Sequence, residues 1–230
     1  MSQLTAVRAL TFDLFGTILD LGGSLRPAIT AFLAETAPSV SPDAFWDQWR
    51  QRQRLEQYQD TIMMLGHAGY LETVRRALHY VLRLNAIEPA RQQQLMAAWQ
   101  QLQPFPDVRP ALERMKARYR LVVLSNGDPA FLAHLATHQV QWEFDAILSA
   151  TDNGAFKPHP SVYRRAAQVL GLEVGECLMV SANSFDAVGA RACGFRAAYV
   201  DRYRLPVEDS SYQPDVTVQD FTQLADRLLA

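Results

Sequence analysis

The chain is short of three things. It has 2 cysteines, Cys177 and Cys193, in 230 residues. They form neither a CxxC pair nor the framework of a disulfide-stapled fold. It has little excess charge: 22 Lys and Arg against 24 Asp and Glu give a net charge of −2, without the basic surplus expected of a nucleic-acid binder. No apolar run approaches the roughly 20 residues that cross a bilayer, and the opening MSQLTAVRAL lacks the apolar stretch of a secretory signal. The expectation is a protein of the reducing cytoplasm, with no nucleic-acid and no membrane partner. What is present is an ordinary globular balance: 49% hydrophobic and 20% charged residues are enough to fill a core and too apolar for a disordered chain.

Short apolar runs recur at Val7 to Phe12, Leu121 to Leu124, Ala146 to Leu148, Cys177 to Val180 and Ala197 to Val200. Runs of this kind suit parallel strands buried on both faces. Ala111 to Tyr119, Pro129 to His138, Pro160 to Leu170 and Phe185 to Cys193 carry apolar residues at three- and four-residue spacing and read as helices. Strand–helix alternation predicts an α/β fold, a doubly wound parallel sheet with helices on both faces. The first connection differs. Between Phe12 and Leu121 no convincing strand is found, and Leu25 to Glu35, Pro42 to Met64, Leu71 to Leu84 and Pro89 to Gln101 all read as helices. A helical cap inserted after the first strand is therefore expected, over 19–104, with the core in 1–18 and 105–230. Pro104, Pro106 and Pro110 mark its exit.

Ligands of open parallel sheets bind beyond the carboxyl ends of the strands. The first strand is followed by Asp13-Leu14-Phe15-Gly16-Thr17, the second by Ser125-Asn126-Gly127-Asp128. The third leads to Lys157-Pro158, and the fourth to Ser181-Ala182-Asn183-Ser184-Phe185-Asp186. Carboxylates, hydroxyls, amides and one ammonium thus converge on one edge. Each has a plainer reading alone: Asp13 as a turn residue, Thr17 and Ser125 as helix caps, Asp186 as a first-turn acid. Their coincidence at four strand ends favours a site.

The four segments FDLFGT (12–17), LSNG (124–127), FKPHPSVY (156–163) and VSANSFDAVGARACGF (180–195) resemble, in order and spacing, the haloacid dehalogenase superfamily and within it the L-2-haloacid dehalogenase branch. In the cap, WRQRQRLEQY (49–58) is similar to the branch's arginine-bearing helix. The resemblance implies that Asp13 is the nucleophile, forming an ester that water hydrolyses, and that Lys157 holds its carboxylate. It implies that Thr17 and Ser125 hydrogen-bond the nucleophile and the substrate carboxylate, that Asn126 offers its amide to the departing halide, and that Ser181 and Asn183 position Lys157 and Asp186. Asp186 then orients or activates water. Tyr163 is expected to touch the substrate carboxylate or the nucleophile, Phe15 and Phe185 to wall the pocket, and Arg50 to receive halide or carboxylate. Loss of Arg54, on the same helix face, is expected to have a mild effect.

Two departures select the branch. Phosphatases of this superfamily carry a second Asp two residues after the nucleophile, where this chain has Phe15, and another where it has Ala182. Mg²⁺ needs a shell of oxygen ligands, so no metal and no cofactor is expected. The implied reaction is hydrolysis of short 2-haloalkanoic acids to 2-hydroxy acids, from (S) substrate to (R) product with inversion, the ligand being a small halogenated carboxylate. The alternatives are a metal-independent carbon-centred hydrolase of the same branch, such as an azetidine-2-carboxylate hydrolase, a phosphatase, and an inactive binding protein. A homodimer is left open. His134 and His138 stand four apart but have no third ligand beside them.

Overall fold

The computed structural model describes residues 4–88 and 92–230. The chain enters through β1 (Ala9–Phe12), whose ALTF run is buried on both faces. It then makes the short β2 (Leu19–Asp20) before α1 (Leu21–Thr36), α2 (Pro42–Ile62), α3 (Tyr70–Leu84) and α4 (Gln92–Ala98). The returning β3 (Gln103–Pro104) pairs antiparallel with β2, Leu19 opposite Pro104 and Asp20 opposite Gln103. This two-stranded ladder is the neck of the inserted helices. Beyond it run α5 (Val108–Met115), β4 (Arg120–Ser125), α6 (Pro129–His134), β5 (Ala146–Ser149), α7 (Pro160–Leu170), β6 (Cys177–Ser181), α8 (Ser184–Ala192), β7 (Arg196–Val200), β8 (Val216–Val218) and α9 (Phe221–Leu229).

The main sheet is parallel throughout, in the order β5-β4-β1-β6-β7-β8. The chain builds outward from β1 through β4 to β5, then crosses to the other side of β1 and builds through β6 to β8. The carboxyl end of β1 is thus the point where strand order reverses, and a crevice opens there. That end carries Asp13. The α/β class and the inserted helical cap agree with the sequence reading.

Local sequence explains the elements near the site. Ser41 caps α2 through its side chain, accepting the Ala44 N–H, and Pro42 stands in the first turn, where its missing N–H costs nothing. Phe45, Trp46, Trp49 and Gln53 fall on the buried face of α2. Trp49 packs edge-on against Trp99 at 5.8 Å, and Tyr70, at the start of α3, meets Trp99 at the same distance. Each such aromatic contributes about 2–3 kcal/mol by burial. Tyr70 also stacks on Phe15 at 3.9 Å and 10°, so one aromatic pair joins cap to core.

Several elements differ from the expectation. Of the helix expected over Pro89 to Gln101, the part at 89–91 lies outside the described residues. The remainder is α4 followed by a 3-10 turn at Trp99–Gln101. The helix expected to run to His138 widens after α6 into a π-helical turn, Leu135–Val140, which keeps Leu135, Ala136 and Val140 buried. The sequence reading does not include β8 and α9. β8 has only three residues, but α9 buries Phe221, Leu224, Ala225 and Leu228 at helical spacing. Among the described residues, no helix is long and apolar enough to cross a membrane.

Candidate active site

Asp13 leaves β1 into a tight turn. Gly16 turns the chain at φ +86°, a conformation open to glycine, and Tyr203 Oη donates to its carbonyl at 2.9 Å. Gly127, after β4, admits Phe15 and Leu132: a Cβ there would meet Leu132 at 2.5 Å and Phe15 at 3.0 Å. The two turns bring Asp13, Phe15, Ser125 and Asn126 to one wall.

Both oxygens of Asp13 are engaged. Oδ1 accepts from Ser125 Oγ at 3.2 Å and from Lys157 Nζ at 3.1 Å. Oδ2 accepts from Thr17 Oγ1 at 3.1 Å and Asn183 Nδ2 at 2.9 Å. A carboxylate has about four lone-pair directions, so the group is pinned. Thr17 is itself fixed, since its Oγ1 accepts the Ala182 N–H at 2.8 Å. The backbone N–H groups of Leu14 and Phe15, beside this carboxylate, have no acceptor among the described residues.

Lys157 uses all three of its protons. Nζ donates to Asp13 Oδ1, to Asp186 Oδ2 at 2.7 Å and to the Leu124 carbonyl at 2.8 Å. Lys157 is 2% exposed, Asp13 4% and Asp186 1%. At such burial an unpaired charge would be costly, and pairing decides the protonation states. Burial opposes the ammonium, but Asp13 and Asp186 outweigh it and hold the Lys157 pKa above its ordinary value. Burial raises the Asp186 pKa; Lys157 opposes that and Asp13 adds to it.

From the cap, α2 presents Arg50, Gln53, Arg54 and Gln57 at helical spacing. Arg50 Nη1 donates to Gln53 Oε1 at 2.7 Å. Arg54 Nη2 donates to Asn183 Oδ1 at 2.9 Å, and its guanidinium lies 5.7 Å from the Phe185 ring. Asn126 bridges core and cap: its Oδ1 accepts the Lys157 N–H at 2.7 Å and its Nδ2 donates to Gln57 Oε1 at 3.2 Å. Together Asp13, Phe15, Arg50, Arg54, Tyr70 and Asp186, with neighbouring residues, line a partly open cavity of about 20 Å³. That is room for one water and too little for an organic acid. A substrate therefore needs the cavity wall, built from α2 of the cap and the core loops, to widen as it enters.

This arrangement can deliver a charged, dry nucleophile to an anionic substrate. The family described as haloacid dehalogenase-like hydrolase matches residues 7–194. The chain belongs to that family. It is 33% identical over 210 residues, 90% of this chain and 88% of the relative, to (S)-2-haloacid dehalogenase 4A of Burkholderia cepacia, which places it in the L-2-haloacid dehalogenase branch. Among solved structures it is similar to the L-2-haloacid dehalogenase of Xanthobacter autotrophicus with chloropropionic acid covalently bound (TM-score 0.82, 28% identity, 97% of this chain and 98% of that one). A defluorinating L-2-haloacid dehalogenase superposes with TM-score 0.84 at 32% identity, covering 97% and 96% of the two chains.

The structure of this family member brings together Asp13, Thr17, Ser125, Asn126, Lys157, Asn183 and Asp186, with Phe15, Arg50 and Phe185 on the cavity wall. Three expectations are corrected. Tyr163 does not face the substrate or Asp13: its hydroxyl donates to Asp186 Oδ1 at 2.6 Å, and its ring is buried beneath α8. Asn183 holds Asp13 with its side chain and reaches Asp186 only through backbone, its carbonyl accepting the Asp186 N–H at 3.0 Å; it does not contact Lys157. Ser181 contacts neither Lys157 nor Asp186; its Oγ accepts the Asn183 N–H at 3.1 Å and shapes that turn. Burial of Asp186 forces the first correction, because its second oxygen needs a donor and the Tyr163 hydroxyl is the one supplied. Arg54 lines the cavity beside Arg50, which argues for more than a mild effect of its loss. Sequence reasoning passes over Gln53, Gln57 and Tyr70. The signal for the glutamines is a polar stripe at 50, 53, 54 and 57 on a helix that must bury that face.

The hydrolase's cap is latched by polar contacts to the core loops. The Tyr70 N–H donates to Asp128 Oδ2 at 3.1 Å, and Thr61 Oγ1 accepts the Phe156 N–H at 3.1 Å. His67 stacks on Phe156 at 3.7 Å, its Nε2 lies 3.0 Å from the Asn126 carbonyl, and its Nδ1 accepts the Gly69 N–H. This network assigns the proton to Nε2. Burial lowers the His67 pKa; the Asn126 contact opposes it. The closed state therefore prefers neutral His67, and the latch is intact above the ordinary histidine value of about 6.5. It is lost as pH falls through the lower, closed-state value, when an Nδ1 proton would face the Gly69 N–H. Wild type is expected to lose roughly five-fold in kcat/KM there, one hydrogen bond's worth. A His67→Gln variant keeps a donor but does not titrate, and its acid limb should begin at lower pH. Identical acid limbs in the two proteins would refute the latch.

Proposed function

We propose that this hydrolase cleaves the carbon–halogen bond of short 2-haloalkanoic acids through an ester on Asp13, converting (S) substrate to (R)-2-hydroxy acid without a metal. The observation that carries the reading is the place of Lys157 Nζ, between Asp13 and Asp186 at 3.1 and 2.7 Å. In a metal-dependent relative a divalent ion would have to share those carboxylates; here a fixed ammonium bridges both. Phe15 stands where a general acid would be needed to protonate an alcohol leaving group. Halide leaves without a proton, so an apolar side chain suffices there.

The substrate carboxylate has donors waiting in the Leu14 and Phe15 N–H groups and the Ser125 hydroxyl. Turning Ser125 toward the substrate frees one lone pair on Asp13 Oδ1. That oxygen attacks C2 from the side opposite the halogen, and the C–X electron pair leaves as halide toward the cap, where Arg50 and the buried, unpartnered hydroxyl of Tyr70 lie. Backside attack inverts C2. Water then attacks the Asp13 carbonyl carbon, with Asp186 taking its proton and handing it to the departing alkoxide oxygen as the ester's Cγ–O bond breaks, which releases the hydroxy acid. One C–X bond and one water are consumed; one halide and one proton are released. Charge fixed in a dry site gives such steps most of their acceleration.

The test is halide release from (S)- and (R)-2-chloropropionate, chloroacetate and fluoroacetate, before and after exhaustive chelation with EDTA, with p-nitrophenyl phosphate as counter-screen. Full activity on the (S) acid after chelation is expected. Phosphate release restored by Mg²⁺ would replace this reading with a phosphatase.

A further inference from the structure

Arg54 is left over when the reaction has been given its partners. Lys157 serves the two carboxylates, the Leu14 and Phe15 N–H groups and Ser125 face the reacting carboxylate, and Arg50 with Tyr70 faces the halide. Yet Arg54 also lines the cavity. Of its donors only Nη2 has an acceptor among the described residues, Asn183 Oδ1. Its Nε is buried without a partner. Burial, and then repulsion from Arg50, lowers its pKa to about 10. A guanidinium held there with open donors is destabilised until an acceptor reaches it.

Position narrows the acceptor. Arg54 is tied through Asn183 to the nucleophile's own wall, since Asn183 Nδ2 donates to Asp13 Oδ2. Arg50 has its hydrogen bond within the cap, to Gln53. An in-line displacement sends the halide away from Asp13, whereas Arg54, bonded to Asn183, is held on the Asp13 side of the cavity with its guanidinium 5.7 Å from the Phe185 ring. The group that points sideways from C2, besides the carboxylate already provided for, is the rest of the substrate chain. Building on the haloacid reading above, we propose that Arg54 is a specificity-determining residue that binds an anionic tail, so that the preferred substrate is a 2-halodicarboxylate.

The charges then pair at the ester stage: Lys157 with Asp186, Arg50 with halide, Arg54 with the tail carboxylate, and the reacting carboxylate on backbone N–H groups. An alkyl tail in the same place would leave Nε dry and unsatisfied. Sites built to hydrogen-bond a group discriminate strongly against analogues that lack it.

The experiment compares kcat/KM for racemic 2-chlorosuccinate, 2-chlorobutyrate and chloroacetate in wild type, Arg54→Leu and Arg54→Lys. The first two substrates differ in whether the tail ends in a carboxylate or a methyl group; chloroacetate has no tail. Wild type should prefer chlorosuccinate over chlorobutyrate by about ten-fold or more. Arg54→Leu should reverse that order, losing about ten-fold more on chlorosuccinate than on chloroacetate, and Arg54→Lys should restore part of the preference. A wild type that favours chlorobutyrate overturns the proposal. So does an Arg54→Leu variant whose losses on chloroacetate and chlorosuccinate are equal, because Arg54 would then serve the shared carboxylate or Asn183 alone. Wild type inert on every one of these acids while p-nitrophenyl phosphate is cleaved would be the failure of the dehalogenase reading itself, a result distinct from either.

Discussion

Asp13→Asn is expected to lower turnover by on the order of 10⁴-fold or more while leaving the fold intact. The carboxylate is the attacking group, and a neutral amide oxygen at the same place carries too little negative charge to displace halide. Little of the framework should change, because Asn keeps one oxygen to accept from either donor pair. Its NH₂ group, however, would face two of the present donors, either Ser125 and Lys157 or Thr17 and Asn183. The turn would loosen, and the thermal midpoint would move less than the rate. The oxygen atoms give the sharper result. In a single turnover with excess wild-type enzyme in heavy-oxygen water, the product hydroxyl should come from Asp13 and stay mostly unlabelled. After many turnovers Asp13 should carry the label, read by mass spectrometry of the peptide spanning Phe12 to Thr17. Immediate labelling of product with a clean peptide would mean that water attacks C2 directly and that Asp13 is not the nucleophile.

The part of this site that lies at strand ends is legible in the amino-acid sequence. A parallel strand buried on both faces must be followed by a loop at the sheet's edge, and polar residues there have few other reasons to cluster. Asp13, Ser125, Lys157 and Asp186 are readable on that ground. Their wiring is not. Which donor serves which oxygen depends on turns of two or three residues, so the sequence pattern misses the hold of Asn183 on Asp13, puts Ser181 on the wrong partners and sets Tyr163 on Asp13 or the substrate where it holds Asp186. The cap half is harder still. A helix bearing Arg50, Arg52 and Arg54 looks solvated until its neighbours are known. Arg52 does turn away, pairing with Glu56 at 2.6 Å, while Arg50 and Arg54 point inward. The difference follows from α2 burying Trp49 and Gln53 against α3 and the core, and no local pattern reveals the identity of that second surface. Tyr70 stands one residue before the helix predicted from Leu71, and nothing in its own segment shows that Phe15 stacks on it.

Lys157→Met should be the most damaging substitution for stability as well as for chemistry. Methionine fills similar volume without charge. The side chain it replaces bridges two carboxylates and satisfies the Leu124 carbonyl. Removing one member of a buried ionic cluster typically costs about 3–5 kcal/mol, because the partners keep their desolvation penalty. Asp186 would retain only the Tyr163 hydroxyl at 2.6 Å. Its pKa, already raised by burial and by Asp13 and held back by Lys157, would rise further, and a protonated Asp186 cannot take a proton from the hydrolytic water. Both half-reactions therefore fail. Lys157→Arg should not rescue turnover, since a planar guanidinium does not reproduce a three-way donation from one nitrogen. The double variant Lys157→Met with Asp186→Asn should recover much of the stability, by removing the stranded charge, and none of the turnover. The stability difference between wild type and Lys157→Met also has a predicted pH course. The folded state holds the Lys157 pKa above its unfolded value of about 10.4. Its contribution is therefore fully present below that value and fades only as pH rises through the folded one. Urea midpoints for the two proteins should separate further as pH rises toward 9, because the stranded Asp186 of the variant is forced to ionise, and converge above about 10.5. A separation that instead vanished toward neutral pH would show that Lys157 is not the charged partner of Asp13 and Asp186.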